Sequence, residues 1–328
     1  MRHPMSNDEV RDRGTLTGHF LVGPTASGKS DIAQHLAEAE SSSILSADSM
    51  LVYKDMSIGT AKPTPEQQGR VPYFGIDLVL PTEPFSTGSY LKYVHAALSD
   101  VGQTGHELIV VGGTGLYIQA LLQGLPGSAA PSEEIRIKVR KIFAEGGVAG
   151  LRGALHESDS GRLEALDDPQ NPRRLQRALE LSLADLPQPS NRNPAKYPPI
   201  PGLRYSRDTL VERISRRVLG MFEGGLLEEV RTLRARYGDL SATAAEGIGY
   251  DEAAAVLDGK LSRQEAIDKI TVRTRQLAKR QMTWFNRQVA VNWIDVAPED
   301  TQVSIAEKVR DAWRKTGPLC LKGLSNVS

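Results

Sequence analysis

The sequence predicts an α/β fold: a P-loop NTPase-like core built on a parallel sheet, with a small helical insertion domain. Three observations carry that expectation. Residues 23–30 read Gly-Pro-Thr-Ala-Ser-Gly-Lys-Ser and match the phosphate-binding pattern G-x-x-x-x-G-K-[ST] at every fixed position. The loop lies between an apolar run, Phe20-Leu21-Val22, and a helical stretch from Ser30 to Glu40, the context that this pattern requires. Short apolar strands then alternate with helices, as in a doubly wound sheet whose ligands bind at the carboxyl ends of the strands.

Residues 1–18 are polar and read as a disordered leader. The apolar runs predict strands at His19–Gly23, Ser42–Ala47, Gly75–Leu80 and Glu107–Gly112. From Pro126 the pattern turns helical over 133–185, bounded by Pro126-Gly127-Ser128 and by a Pro/Asn-rich stretch, Pro187 to Pro201, that reads as a linker. A short strand, Leu203-Arg204-Tyr205, and long helices to about Arg314 follow. The expected organisation is a catalytic core of residues 19–125 and 201–316, a helical insertion at 126–200 and a C-terminal tail at 317–328.

The 328 residues carry 40 Lys and Arg against 40 Asp and Glu, so the molecule as a whole does not advertise a polyanionic partner. The average hides an asymmetry. Between Asn171 and Ala290 there are 21 basic and 14 acidic residues, and Lys269 to Ile294 contains no acid. Contacts with nucleic acid or phosphate are expected there. One cysteine, Cys320, excludes an internal disulfide framework and a Cys/His zinc cluster, and suits a reducing cytoplasm. No apolar run approaches the length of a membrane span, and the N-terminus lacks the apolar core of a signal peptide.

The phosphate loop has a physical rationale. Its glycines let backbone N–H groups converge on an anion, and the helix start adds partial positive charge. Lys29 would reach the terminal phosphate oxygens and the Ser30 hydroxyl would face Mg²⁺. The second strand closes in Ser46-Ala47-Asp48-Ser49, beside that cradle. Asp48 is there either as a turn residue or as a carboxylate that takes a proton from a nucleophile or organises Mg²⁺. The fourth strand ends in Gly112-Gly113-Thr114-Gly115, where a nucleotide hydrolase usually has an acid; the glycines would allow close approach to a ligand. Thr114 is a helix cap or a ligand contact.

Arg213, Arg216 and Arg217 share a turn, as a diphosphate clamp or as a solvated face. On the helix from about Arg263 to Arg287, Lys269, Arg273, Arg280 and Arg287 fall within roughly 40° of one another at 100° per residue. Ile270, Leu277 and Trp284 form the neighbouring stripe, with Phe285 next in sequence. A basic face with adjoining aromatics suits a nucleic-acid backbone, and equally suits a core stripe with solvent-facing charges.

Taken together, GPTASGKS (23–30), SADSMLVYKDMSIGTAKP (46–63), VGGTGLYIQALLQGL (111–125), NPRRLQRALEL (171–181), GIGYDEA (247–253) and TRQLAKRQMTWFNR (274–287) resemble the tRNA dimethylallyltransferase family, over most of residues 19–294. The resemblance implies transfer of a dimethylallyl group from dimethylallyl diphosphate to N6 of adenosine 37, next to the tRNA anticodon, with Mg²⁺ as cofactor and diphosphate released. It implies catalytic roles for Asp48, Thr114 and Arg217. The prenyl diphosphate would lie on Gly23, Pro24, Thr25, Ala26, Ser27, Gly28, Lys29 and Ser30, with Ser30 as the metal ligand. For tRNA the matching positions are Asp48, Ser49, Met50 and Leu51; Arg136, Arg173, Arg174 and Arg177; Gly247, Ile248, Gly249 and Tyr250; and Lys279, Arg280, Gln281, Thr283, Trp284 and Asn286. The acceptor would be an anticodon loop carrying A36-A37-A38, and the family expectation is a monomer.

The chain departs from the family pattern at two places. Tyr73-Phe74 stand where members often carry a His pair, and Leu51 stands where Gln is common, which weakens a side-chain contact with RNA there. A single cysteine leaves nothing for the zinc finger that eukaryotic members append, so the type is bacterial. Two other enzyme classes share the loop: a small-molecule P-loop kinase, and an adenylate isopentenyltransferase acting on free nucleotides. The glycine-ended strand counts against the first; the insertion and the basic helix count against the second. A non-catalytic RNA-binding module would have no use for Lys29, Asp48 and Thr114 in one pocket.

Overall fold

The computed structural model describes residues 16–98, 107–125, 131–187 and 197–324. In chain order the first half runs β1 (Thr17–Val22), α1 (Lys29–Glu40), β2 (Ser43–Ser46), α2 (Pro65–Arg70), β3 (Tyr73–Phe74), α3 (Thr87–Leu98), β4 (Leu108–Gly112) and α4 (Gly115–Gln123). Helices α5 (Glu133–Glu164) and α6 (Pro172–Leu183) follow. The chain continues with β5 (Ile200–Arg204), α7 (Arg207–Glu223), α8 (Leu226–Tyr237), α9 (Tyr250–Leu257), α10 (Arg263–Gln288), β6 (Val291–Asp295), α11 (Gln302–Thr316) and β7 (Leu319–Cys320). The strands lie in the order β3-β2-β4-β1-β5-β6, all parallel, with β7 antiparallel to β1.

The described chain forms two compact units, residues 1–124 with 193–328 and residues 125–192. In the first, successive residues of the central strands point to opposite faces of the sheet. Phe20, Val22, Leu45 and Val110 enter one core with Tyr90, Ile118, Val218, Ile270 and Phe285. Leu21, Ile44, Ile109 and Val111 enter the other, against Ile32, Leu36, Val309 and Trp313. A parallel sheet covered on both sides must be apolar on both, which is why Phe20-Leu21-Val22 of β1 and Leu108 to Val111 of β4 read as unbroken apolar runs. In the second unit α5 leaves helical geometry at Gly147 (φ +55°) and Asp159, and its pieces pack on α6 through Val139, Leu151, Leu155, Leu175 and Leu179.

Several expectations need correction. The third strand is Tyr73–Phe74, not Gly75–Leu80: Gly75 and Asp77 take positive φ (+80° and +54°), and the chain bends away to bond Leu51 and Val52 instead. The Pro/Asn-rich stretch gives up its end to β5, which starts at Ile200. Val291–Asp295 is an edge strand, not helix; its Val, Trp and Ile are strand-forming residues in a short, half-buried segment. Residues 1–15 of the expected leader lie outside the described residues, but Thr17 and Gly18 belong to β1. Nor is the C-terminal stretch a loose tail. Leu319–Cys320 pairs with Thr17–Gly18, and Leu321 and Leu324 are buried.

The glycine end of β4 follows from packing. A Cβ on Gly112 would stand 2.1 Å from the Ala47 carbonyl oxygen, so only glycine lets the ends of β2 and β4 come this close. Gly112→Ala is expected to destabilise by about 3 kcal/mol, as severe overpacking does. Gly153→Ala, on α5 with open space around it, should instead stabilise by about 0.5 kcal/mol. Urea denaturation of the two variants checks the opposite signs.

Candidate active site at the carboxyl edge of the sheet

Strand ends β1, β2 and β4 deliver Gly23–Ser30, Asp48–Ser49 and Gly113–Gly115 to the same edge. In the phosphate loop, the Ser27 N–H donates to the Pro24 carbonyl (3.3 Å) and Gly28, at φ +76°, opens α1. The buried Lys29 folds back and its Nζ donates to the Pro24 carbonyl at 3.2 Å. Helix α7 lies alongside. Arg213 Nε donates to the Ala26 carbonyl (2.8 Å) with its guanidinium 4.7 Å from the Tyr205 ring centre, and Arg217 Nη2 donates to the Thr60 carbonyl (3.2 Å). Arg216 is exposed and paired with Glu212 at 2.7 Å. Gly28, Lys29, Ser30, Arg213, Arg216 and Arg217 line a cavity of about 380 Å³.

The electrostatics of this cavity favour an anion. Burial pushes the Lys29 ammonium down to about 8; Asp48 pulls it up and Arg217 pushes it further down. Burial likewise lowers the Arg217 guanidinium, against the pull of Asp48 and Asp31. Ser27 Oγ and Arg217 Nε are buried without a hydrogen-bond partner. Unsatisfied buried donors are costly, and a multiply charged oxyanion would satisfy them. A larger cleft of about 480 Å³ lies between Asp55, Ile58 and the length of α8, and holds none of the candidate site residues.

Asp48 is a turn residue whose charge also reaches the cavity. Its Oδ1 accepts the Met50 N–H (2.9 Å) in an Asx turn, and its charge is felt by Lys29 and Arg217. Thr114 occupies the cap position of α4, yet its side chain caps nothing. Its hydroxyl accepts the Ser49 N–H (2.9 Å) and donates to Ser49 Oγ (3.2 Å), while its own N–H donates to the Ala47 carbonyl (3.1 Å). The β4 loop therefore sets the Asp48 turn. Ser30 is exposed beside Asp31 at the mouth of the cavity. One hydroxyl and one carboxylate suit a hard cation that takes its other oxygens from a ligand and water. Among the described residues no three His, Cys, Asp or Glu cluster to cage a metal by themselves.

The residues expected at RNA divide into two sets. Lys279, Arg280, Thr283 and Asn286 are exposed on α10, as is Arg287. Gln281 and Trp284 turn inward. Gln281 accepts the Thr25 N–H (2.8 Å) and donates to the Gly113 carbonyl (3.0 Å), tying the phosphate loop to the β4 loop. The Trp284 ring lies where a Cβ on Gly115 would be. The glycines after β4 thus admit Ala47, Gln281 and Trp284 of the protein itself, where close approach to a ligand was expected. Asn286 accepts from Trp293 Nε1 (3.0 Å), and Arg273 leaves the basic stripe to pair with the buried Glu252.

Tyr250 is buried, donating to Glu229 (2.8 Å), and Leu51 and Gly249 are buried too, so these three offer RNA no exposed side chain. Gly247 is buried and Ile248, Ser49 and Met50 are half-buried. In the second unit Arg136, Arg174 and Arg177 make exposed ion pairs with Glu133, Asp167 and Glu180, and Arg173 is exposed. Such pairs are weak and are readily exchanged for phosphate. Thr60 and Gln281 both lie inside the matching segments, but the contact of the Thr60 carbonyl with Arg217 and the link from Gln281 to the Thr25 N–H join residues more than 150 positions apart, which only folding brings together.

A family model for IPP transferase matches residues 51–288. The tRNA dimethylallyltransferase of Koribacter versatilis is 38% identical over 290 residues, 86% of this chain and 94% of that protein. The crystal structure of the full-length tRNA isopentenylpyrophosphate transferase from Bacillus halodurans is 33% identical with a TM-score of 0.63, covering 90% of this chain and 96% of that one. A eukaryotic dimethylallyltransferase acting on tRNA, 24% identical, shares the fold with a TM-score of 0.72 over 92% of this chain and 76% of that one. The carboxyl-edge cavity and the helix that closes it thus belong to a chain that is a member of the IPP transferase family.

Proposed function

We propose that this chain transfers a dimethylallyl group from dimethylallyl diphosphate to N6 of adenosine 37 in tRNA. The observation that carries the reading is one cavity walled by the buried Lys29 and the half-buried Arg217, with the Asp48 carboxylate near enough to feel both. The diphosphate lies on the phosphate loop, with backbone N–H groups, Ser27, Lys29 and Arg217 on its oxygens. Mg²⁺ would be held by the Ser30 hydroxyl and by the diphosphate itself, supplying charge neutralisation of the leaving group. N6 attacks the allylic carbon, the carbon–oxygen bond breaks, and diphosphate leaves with the electron pair. The proton lost from N6 passes to Asp48, whose carboxylate accepts the Met50 N–H in a turn that Thr114 braces through Ser49.

The target base must leave its stack to reach Asp48, which a single-stranded anticodon loop permits at low cost. Lys279 and Arg280 on α10 and the arginines at 136, 173, 174 and 177 are the proposed phosphate contacts. Among the described residues no helix is long and apolar enough to cross a membrane. A cytoplasmic site of action, where tRNA is found, and a monomeric state complete the proposal.

Labelled dimethylallyl diphosphate, Mg²⁺ and unmodified tRNA bearing A36-A37-A38 should yield labelled tRNA. Label on AMP alone would point to an enzyme of free nucleotides, and phosphorylation by ATP without prenyl transfer to a kinase. Asp48→Ala should lower kcat by about 10³-fold while tRNA binding changes little; near-normal kcat would remove Asp48 as the base. Below about pH 8 Lys29 carries its charge and above it the charge is lost, so anion affinity must fall as pH rises. The Kd for magnesium pyrophosphate should weaken about tenfold from pH 7 to pH 9, and Lys29→Met should flatten that dependence. Arg280→Ala should weaken tRNA binding and reduce the slope of log K against log salt by about 1; an unchanged slope removes Arg280 from the interface.

A further inference from the structure

Arg217 is held by a loop that no sequence motif assigns a function. Its Nη2 donates to the Thr60 carbonyl, and its Nε has no partner, so that carbonyl is the contact that sets the guanidinium plane. Thr60 sits in a tight loop. The Thr60 hydroxyl donates to the Met56 carbonyl (2.6 Å), the Ala61 N–H to the Ile58 carbonyl (3.1 Å) and the Lys62 N–H to the Ser57 carbonyl (2.9 Å). Ala61, at φ +54°, reaches the wall of the phosphate cavity.

The loop is anchored from outside by one side chain. Glu229, in the first turn of α8, turns away from its own helix start and receives four donors. Its Oε2 accepts the N–H groups of Ser57 (2.9 Å) and Ile58 (2.6 Å), and its Oε1 accepts the Gly59 N–H (3.1 Å) and the Tyr250 hydroxyl (2.8 Å). Successive backbone N–H groups converging on one carboxylate form an anion nest, with the anion supplied by the protein. Bonds to an ionised acceptor are the strong kind. Burial and Glu229 together push the Tyr250 hydroxyl well above its usual value, so it stays a donor. A second anchor, Lys62, donates from Nζ to the Tyr53 carbonyl and to Asp77, both at 2.6 Å.

We propose that Glu229 is a positioning residue for the diphosphate site: it fixes the loop of residues 57–61 so that the Thr60 carbonyl aims Arg217 at the leaving group. The proposal rests on the reading of Arg217 as a diphosphate ligand. It also assigns a role to the GIGYDEA segment, whose Tyr250 completes the clamp from the buried side where an RNA contact was expected.

The test is a double-mutant cycle on the full chain. Glu229→Gln keeps the shape but leaves two of the four donors without an acceptor. The cycle reads the Kd for inorganic pyrophosphate with Mg²⁺, the KM for dimethylallyl diphosphate, the Kd for tRNA and the melting temperature. E229Q is expected to weaken pyrophosphate about tenfold, the size of a typical coupling, and to raise the donor KM similarly, with tRNA affinity unchanged. In the Arg217→Gln background the same substitution should cost less than about twofold. Glu229→Asp, which keeps the charge on a shorter arm, should fall between wild type and E229Q, and it carries the cycle if E229Q does not fold. Equal losses in both backgrounds, or unchanged pyrophosphate affinity in a folded E229 variant, would overturn the proposal. A wild-type chain with no affinity for pyrophosphate would sink the diphosphate reading itself, and this proposal with it.

Discussion

Positive charge drawn out of water is the constraint around which this molecule is arranged. Lowering the Lys29 ammonium from 10.5 to about 8 corresponds to about 3 kcal/mol of unbalanced charge, and Arg217 is pushed the same way by burial. Asp48 and Asp31 offset part of this, but neither bonds either cation among the described residues. Burial of the two large apolar cores on either side of the sheet offsets that cost in the folded protein. A polyanion in the cavity would offset that cost, so the same unfavourable term favours anion binding.

This arrangement explains why so many contacts around the site are made by backbone. Arg213 is bound to the Ala26 carbonyl, Arg217 to the Thr60 carbonyl and Lys29 to the Pro24 carbonyl. A carbonyl orients a cation without neutralising it. Carboxylate partners would hold the same side chains more tightly, but would also spend the charge that the leaving group needs. Two glutamates further out serve elsewhere: Glu229 on loop amides, Glu252 on Gly249 and Arg273.

The fold was legible in the sequence wherever the local pattern and the tertiary demand agreed. The loop at 23–30, β1, β4 and the span of α10 stand close to where their residues place them, because buried parallel strands and a long amphipathic helix carry strong periodic signals. The third strand was misplaced because the positive φ at Gly75 and Asp77, which ends it, serves the contact with Leu51 and Val52, a pairing invisible along the chain. Val291–Asp295 was missed because a five-residue edge strand beside a long helix offers too few alternations to register. The same limit applied to the site. Residue types in motifs named its members, but the side-chain directions of Gln281, Trp284 and Tyr250 depend on glycines and carbonyls more than a hundred residues away.

Those directions decide how the two substrates are related. Helix α10 carries its exposed basic residues, Lys279 and Arg280, immediately before Gln281, whose amide joins the Thr25 N–H to the Gly113 carbonyl. One turn on, Trp284 packs against Gly115, the first residue of α4, next to the threonine that orders the Asp48 turn. A force applied to the outer face of α10 is therefore borne by both the phosphate loop and the loop that sets the Asp48 turn. In a rigid core such shifts are not absorbed gradually, because close-packed contacts transmit strain. The helix that meets solvent with its charges is thus the same element that ties the phosphate loop with its amide and packs the β4 loop with its indole, so the proposed acceptor and donor sites share one structural wall.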